Sequence, residues 1–256
     1  MGYLRYVAVG DSQTEGLNDG DEHSGYRGWA DRFAETLAVH HDGIHYANLA
    51  VRGQLTRHIL TTQLEPALAL KPDLVSVMAG MNDLVRPGVD IDAVMADLDT
   101  LYAAFSDSGA TVVTFTFPDV ARIVPLARHL RPKVLRLNDA IRASARDHGV
   151  IVVDTFSYDI SVDPRLWSRD RIHATPLGHA RMAAAAAHTL GLPGCDASWA
   201  DPLPPLEAPA RLARYQAELV WLGAFLGPWV VRRIRGRSSG DGRTAKRPEL
   251  AAVIRG

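Results

Sequence analysis

Two stretches, far apart in this chain, carry the three side-chain types that acyl transfer through a covalent intermediate needs. Ser12 lies in Gly10-Asp11-Ser12-Gln13-Thr14-Glu15-Gly16, directly after the apolar run at residues 4–9. A serine hydroxyl becomes a competent nucleophile only when a base takes its proton, an acid orients that base, and donors hold the oxyanion that forms. His173, in Asp170-Arg171-Ile172-His173, is the candidate base. Asp170 stands three residues before it, a spacing that in a turn lets a carboxylate reach one imidazole nitrogen while the other faces the serine. Asp154 and Asp119 also fall at strand ends and compete for the orienting role. For the oxyanion the chain offers the N–H of Ser12 itself and the side-chain amide of Asn82 in Gly80-Met81-Asn82-Asp83. It also offers the N–H of Gly53, which has no Cβ to keep a substrate away. Arg27, Arg52 and Trp167 adjoin these loops and are candidate substrate-binding residues; Arg52, beside Gly53, suits an anionic group.

These residues converge only if the elements around them put them at one edge of a sheet. Apolar runs at residues 4–9, 44–50, 73–79, 110–117 and 150–153 read as strands. Between them, residues 28–39, 56–70, a segment after Asp90 or Asp92, and a segment after Pro132 carry apolar positions at helical spacing. Pro66 interrupts the second of these and predicts a kink. Thr175-Pro176 gives an N-cap and a first-turn proline for a helix that ends at Gly191. Five strand–helix alternations predict an α/β protein: a three-layer α/β/α domain with a five-stranded parallel, flavodoxin-like sheet of order 2-1-3-4-5. In that order Ser12, Gly53, Asn82 and the His173 loop all follow strands at their carboxyl ends, where open α/β sheets bind ligands.

The four blocks, in this order, resemble those of the SGNH (GDSL) hydrolase family. Gly10–Gly16 matches the first block, with Ser12 as nucleophile. Asn48 to Gly53 is similar to the second, with Gly53 as oxyanion donor. Gly80-x-Asn82-Asp83 matches the third, with Asn82 as donor, and Asp170-x-x-His173 the last. The resemblance covers roughly residues 3–191 and implies a cofactor-free, metal-free hydrolase acting on carboxylic esters or thioesters, its substrates ranging over acyl lipids, aryl esters, acetylated sugars and acyl-CoA. One departure is Arg171, at a position that is often glycine in the family. An acyltransferase or thioesterase with the same triad is the alternative within the enzyme class; a non-catalytic binding protein on the hydrolase fold is the alternative outside it.

Composition narrows the remaining classes. The 256 residues are 47% apolar, enough for a sizeable core. Residues 1–205 carry a net charge of −7, which argues against a nucleic-acid partner; the excess of basic residues lies in the tail. Cys195 is the single cysteine, so the chain closes no disulfide on itself. The start reads directly into a strand without the features of a signal peptide, and no apolar run reaches membrane-spanning length, so a cytoplasmic location is expected.

Residues 192–256 read as an extension: a Pro-rich strap, an apolar helix over 206–235, and a basic tail with seven Lys/Arg between Arg232 and Arg247. The apolar helix has three readings: packing on the hydrolase body, a dimer contact, or peripheral contact with an anionic membrane surface. Gly236-Arg237-Ser238-Ser239-Gly240 matches the G-x-S-x-G nucleophile elbow but lacks the strand before it and the helix after it that the elbow requires.

Overall fold

Tyr6, Val7, Ala8 and Val9 are wholly buried, the signature of a strand covered on both faces. In the computed structural model, which describes residues 3–205, 216, 218–226 and 239–254, this run is β1 (Arg5–Gly10). One helical turn, α1 (Ser12–Glu15), follows it at once. Two-residue strands β2 (Gly20–Asp21) and β3 (Gly25–Tyr26) then form a small antiparallel ribbon. The chain continues through α2 (Trp29–His40), β4 (His45–Asn48), α3 (Thr56–Ala69), β5 (Leu74–Met78) and α4 (Met81–Leu84). It runs on through α5 (Ile91–Asp107), β6 (Thr111–Phe115), α6 (Val120–Ile123), α7 (Arg131–His148), β7 (Ile151–Val153) and α8 (Pro176–Thr189).

The main sheet has the order β7-β6-β5-β1-β4 over its five parallel strands, which is 2-1-3-4-5 when these are counted among themselves. Helix α2 packs on α8, and α5 packs on both α3 and α7, giving the expected three layers. The core between layers is aromatic: Trp29 meets Phe115 edge-on at 4.6 Å between centroids, and Tyr6 stacks on Tyr46 at 5.1 Å. Local signals place the helix ends. Asp90 caps α5 by accepting from the N–H groups of Asp92 and Ala93, and Thr175 caps α8 by accepting from Gly178. Pro66 lies inside α3, and the helix runs on past it to Ala69.

The chain beyond residue 191 departs from the expected extension. A sixth strand, β8 (Arg247–Ala252), adds to the main sheet antiparallel to β4, with His45 opposite Ala252 and Tyr46 opposite Ala251. Without it β4 would be an open edge with unpaired N–H and C=O groups. Flanking charges tie the strand down: Lys246 pairs with Asp31 at 2.5 Å, Arg243 with Glu22 at 2.8 Å, and the Arg247 guanidinium lies 5.3 Å from the Tyr46 ring centre. The end of the chain therefore belongs to the hydrolase sheet. Most of the expected helix over 206–235 and most of Gly236–Gly240 lie outside the described residues.

Candidate active site

The turn that carries Ser12 is built on close backbone contacts that only glycine permits. At Gly10, with φ +158°, an added Cβ would sit 2.6 Å from the carbonyl oxygen of Met78 on the neighbouring strand. At Gly28 it would sit 2.3 Å from the Cα of Gly16, so the end of α1 and the start of α2 touch backbone to backbone. Asp11 caps α1 by accepting the Gln13 N–H. Ser12, 8% exposed, is thereby fixed as the first residue of α1.

The second half of the site is the loop between β7 and α8. It folds back on itself through an isolated bridge between Trp167 and Ala174 and a Ser168 N–H to His173 carbonyl bond of 2.8 Å. Gln13 joins this loop to the Ser12 turn: its amide donates to the Ile172 carbonyl at 2.9 Å and its oxygen accepts from the Ala174 N–H at 3.2 Å. The two bonds grip the backbone on either side of His173. As a result the imidazole Nε2 lies 3.0 Å from Ser12 Oγ, and Nδ1 lies 2.8 Å from Asp170 Oδ2.

Asp170 accepts from four further donors: Ser168 Oγ, the N–H groups of Ile172 and His173, and the amide of Asn18. Burial pushes its carboxyl up, but the imidazole hydrogen bond, charge and backbone N–H of His173, together with the Ser168 hydroxyl, outweigh burial and hold it well below the usual carboxylate range. An acid this firmly ionised fixes the proton on Nδ1 and leaves Nε2 to accept from the serine. The two rival acids are engaged elsewhere. Asp154 binds Thr116, Arg142 and Ser157, and Asp119 caps α6 and pairs with Arg131.

Asn82, at the start of α4, reaches the same place: its amide donates to Asp11 Oδ2 at 2.9 Å and to the Gln54 carbonyl at 3.0 Å. Gly53 takes φ +74° in the loop after β4. Asp11 is buried, and burial raises its carboxyl to about 7 against the lowering effects of its bonds to Gln13 and Asn82 and of the charge of His173. A carboxyl whose folded value lies above its unfolded one stabilises the fold at low pH. That contribution is lost as pH rises from the ordinary carboxylate range through about 7. Thermal melts of wild type and Asp11→Asn between about pH 5 and about pH 8 should therefore show the variant gaining on wild type as pH rises. A difference that stays flat with pH would mean that Asp11 titrates as an ordinary carboxylate.

The substrate-binding candidates divide. Trp167 lines a cavity of about 380 Å³ that opens onto Ser12 and His173. Arg52 is turned away from it: the buried guanidinium is bound to Glu15, with its Nε at 2.9 Å, pairs also with Glu22 at 3.1 Å, and lies over the Tyr26 ring. A guanidinium so committed ties the Ser12 turn to the β4 loop and does not serve a substrate anion. Arg27, half-exposed, pairs with Glu35. Three residues near the Asp170–His173 loop escape the sequence reading: Gln13, Asn18 and Trp221, whose indole N–H donates to the Asp170 carbonyl at 3.1 Å. For Gln13 a signal exists, since a long amide beside a candidate nucleophile can reach an adjoining loop. For Asn18 and Trp221 the partner is 152 and 51 residues away, and nothing local marks the contact.

A model of the GDSL-like lipase/acylhydrolase family matches residues 8–181. Among solved structures, the fold is similar to LAE5, an alpha/beta hydrolase enzyme from the metagenome of Lake Arreo, Spain. The identity is 23%, 73% of this chain and 95% of that one are covered, and the TM-score is 0.62. It is also similar to Axe2, an acetylxylan esterase from Geobacillus stearothermophilus, at 20% identity over 78% of this chain and 97% of that one, with a TM-score of 0.63. No curated protein sequence matches this chain. At such identities the structural neighbours speak to the fold. Among the described residues, no helix is long and apolar enough to cross a membrane.

Proposed function

Because this chain belongs to the GDSL-like lipase/acylhydrolase family, we propose that it is a serine esterase that cleaves carboxylic esters through an acyl-enzyme on Ser12. The observation that carries this reading is the continuous chain of contacts from Ser12 Oγ to His173 Nε2 at 3.0 Å and from Nδ1 to Asp170 at 2.8 Å, at the wall of a cavity. His173 takes the hydroxyl proton as Ser12 attacks the acyl carbonyl, and Asp170 stabilises the imidazolium. The imidazolium then gives its proton to the departing alkoxide. In the second half-reaction His173 activates water, which releases the acid and restores the serine.

The N–H groups of Ser12 and Gly53 and the Asn82 amide are the proposed oxyanion donors. Both Asn82 N–H bonds already have acceptors, Asp11 and Gln54. Serving the oxyanion therefore means exchanging one of them, and the neutral Gln54 carbonyl is the weaker competitor wherever Asp11 is ionised. The exchange is worth most in the transition state, when full negative charge develops.

Hydrolysis of p-nitrophenyl acetate and butyrate, with the free acid measured beside the phenolate, tests this reading. Both esters are expected to turn over to free acid. Asn82→Ala is expected to lower kcat by about 10²–10³-fold with little change in KM. Acid replaced by an acylated acceptor would mean acyl transfer, and no turnover of either ester would remove the esterase reading. A loss confined to KM would take Asn82 out of the oxyanion site.

A further inference from the structure

The cavity beside Ser12 has a wall that comes from the far end of the chain. Residues 218–226 lie against the catalytic loop, and Trp221 and Phe225 line the same cavity as Ser12 and His173. Trp221 is 4% exposed, and its indole N–H is bonded to the Asp170 carbonyl. Arg171 holds the segment there as well. Its guanidinium lies 4.8 Å from the Trp221 ring centre and grips the Glu218 carboxylate through both terminal nitrogens, at 2.8 and 2.9 Å. Arg171 does this from φ +59°, a backbone conformation costly for a residue with a long side chain. Glycine would adopt it freely but would have no side chain with which to reach residues 218–226.

Most of the remaining wall is apolar, with Phe117, Trp167, Met182 and Trp199 among its residues, although Thr155, Ser161 and Arg181 also line it. At about 380 Å³ the cavity is about two and a half times the ~150 Å³ that an apolar protein cavity needs to hold a benzene ring. An acetyl group leaves most of it unfilled; an unbranched acyl chain of about eight carbons has apolar surface to bury there.

Building on the esterase reading above, we infer that residues 218–226 are the closing wall of an acyl-chain site. Trp221 and Phe225 are specificity-determining residues that favour medium-length acyl chains over acetyl, and Arg171 is the positioning residue that latches the wall in place. Releasing the latch opens the acyl site to water. The longer chain then loses its burial, while an acetyl group, too short to use the wall, loses little.

The test compares wild type, Arg171→Gly and Trp221→Ala on p-nitrophenyl acetate and p-nitrophenyl octanoate. The quantity read is the ratio of kcat/KM values, octanoate over acetate. Wild type is expected to favour octanoate, and each variant to lower the ratio by about tenfold or more, since each buried methylene is worth up to about fourfold. Arg171→Gly keeps the experiment decisive should Trp221→Ala fold poorly, because glycine suits φ +59°. Titration calorimetry of octanoate, in the Ser12→Ala background with and without Arg171→Gly, reads the wall without catalysis; about tenfold weaker binding is expected when the latch is cut. A wild type that prefers acetate, a ratio unmoved by Arg171→Gly, or octanoate binding that is absent or indifferent to Arg171 would overturn the inference. If neither ester is hydrolysed but octanoate binds and Arg171→Gly weakens it, the esterase reading fails and the wall stands.

Discussion

Ser12→Ala is expected to abolish ester hydrolysis, lowering kcat by about 10⁶-fold, while the fold and its melting temperature stay close to wild type. The separation of the two effects follows from the local structure. The turn is held by the Asp11 cap, by the Gly16 N–H to Ser12 carbonyl bond, and by the backbone contact of Gly16 with Gly28, none of which uses the serine hydroxyl. What the substitution removes is one oxygen, the atom 3.0 Å from His173 Nε2. Alanine leaves His173, Asp170 and the proposed oxyanion donors in place, so any residual rate measures what binding and electrostatics supply without a covalent intermediate. Turnover of p-nitrophenyl butyrate and a thermal melt on the same sample provide the check. Turnover within about tenfold of wild type would show that the reaction does not pass through Ser12.

Asp170→Asn carries the second large effect, a loss of about 10⁴-fold in kcat. Asparagine has nearly the same shape and still offers an oxygen to the N–H groups of Ile172 and His173, which now bind Oδ1. Its amide nitrogen, however, donates where Oδ2 now accepts. If that amide faces Nδ1, the imidazole must carry its proton on Nε2, toward Ser12, and then cannot take the serine proton. Whichever way the new side chain turns, the negative charge is gone and the imidazolium forms without a counter-ion. Because the effect acts on proton transfer, kcat should fall far more than KM rises. A loss below about tenfold would mean that another carboxylate orients His173. Neither Asp154 nor Asp119 is placed for that, each being bound to partners of its own.

Much of this arrangement was legible in the sequence because the sheet and the proposed triad around it are specified locally. Strands buried on both faces are short, mainly apolar runs, and β1, β5 and β6 read that way, with Ser76 and Thr114 the buried polar interruptions of the last two. Ser12, Gly53 and Asn82 follow β1, β4 and β5 within a few positions, so placing those strands places the side chains. Asp170 and His173 are three residues apart, and a single turn brings them together.

What stayed hidden is non-local. Strand β8, Arg-Pro-Glu-Leu-Ala-Ala, has neither alternation nor an apolar run, and most of its positions are exposed. It is a strand because β4 presents an edge to it, and no local property of residues 247–252 announces an edge about 200 residues earlier. Arg52 misled for a related reason. A cation beside a candidate oxyanion glycine suggests an anion site, but Glu15, at the end of the Ser12 turn, takes the guanidinium first. The apolar stretch around Trp221 signals burial without saying against what, and its partner Arg171 is a charged residue whose value lies in stacking and bidentate pairing.

Covalent labelling tests the central claim most directly, because it asks for the nucleophile and needs no guess at the natural ester. The native protein is treated with a fluorophosphonate probe, digested, and the modified peptide sequenced by mass spectrometry. The expected result is a single adduct on Ser12, lost in Ser12→Ala and lost on heat denaturation before labelling. A folded protein that takes up no probe, or that carries it on a different serine such as Ser168, would contradict the assignment of Ser12 as the nucleophile.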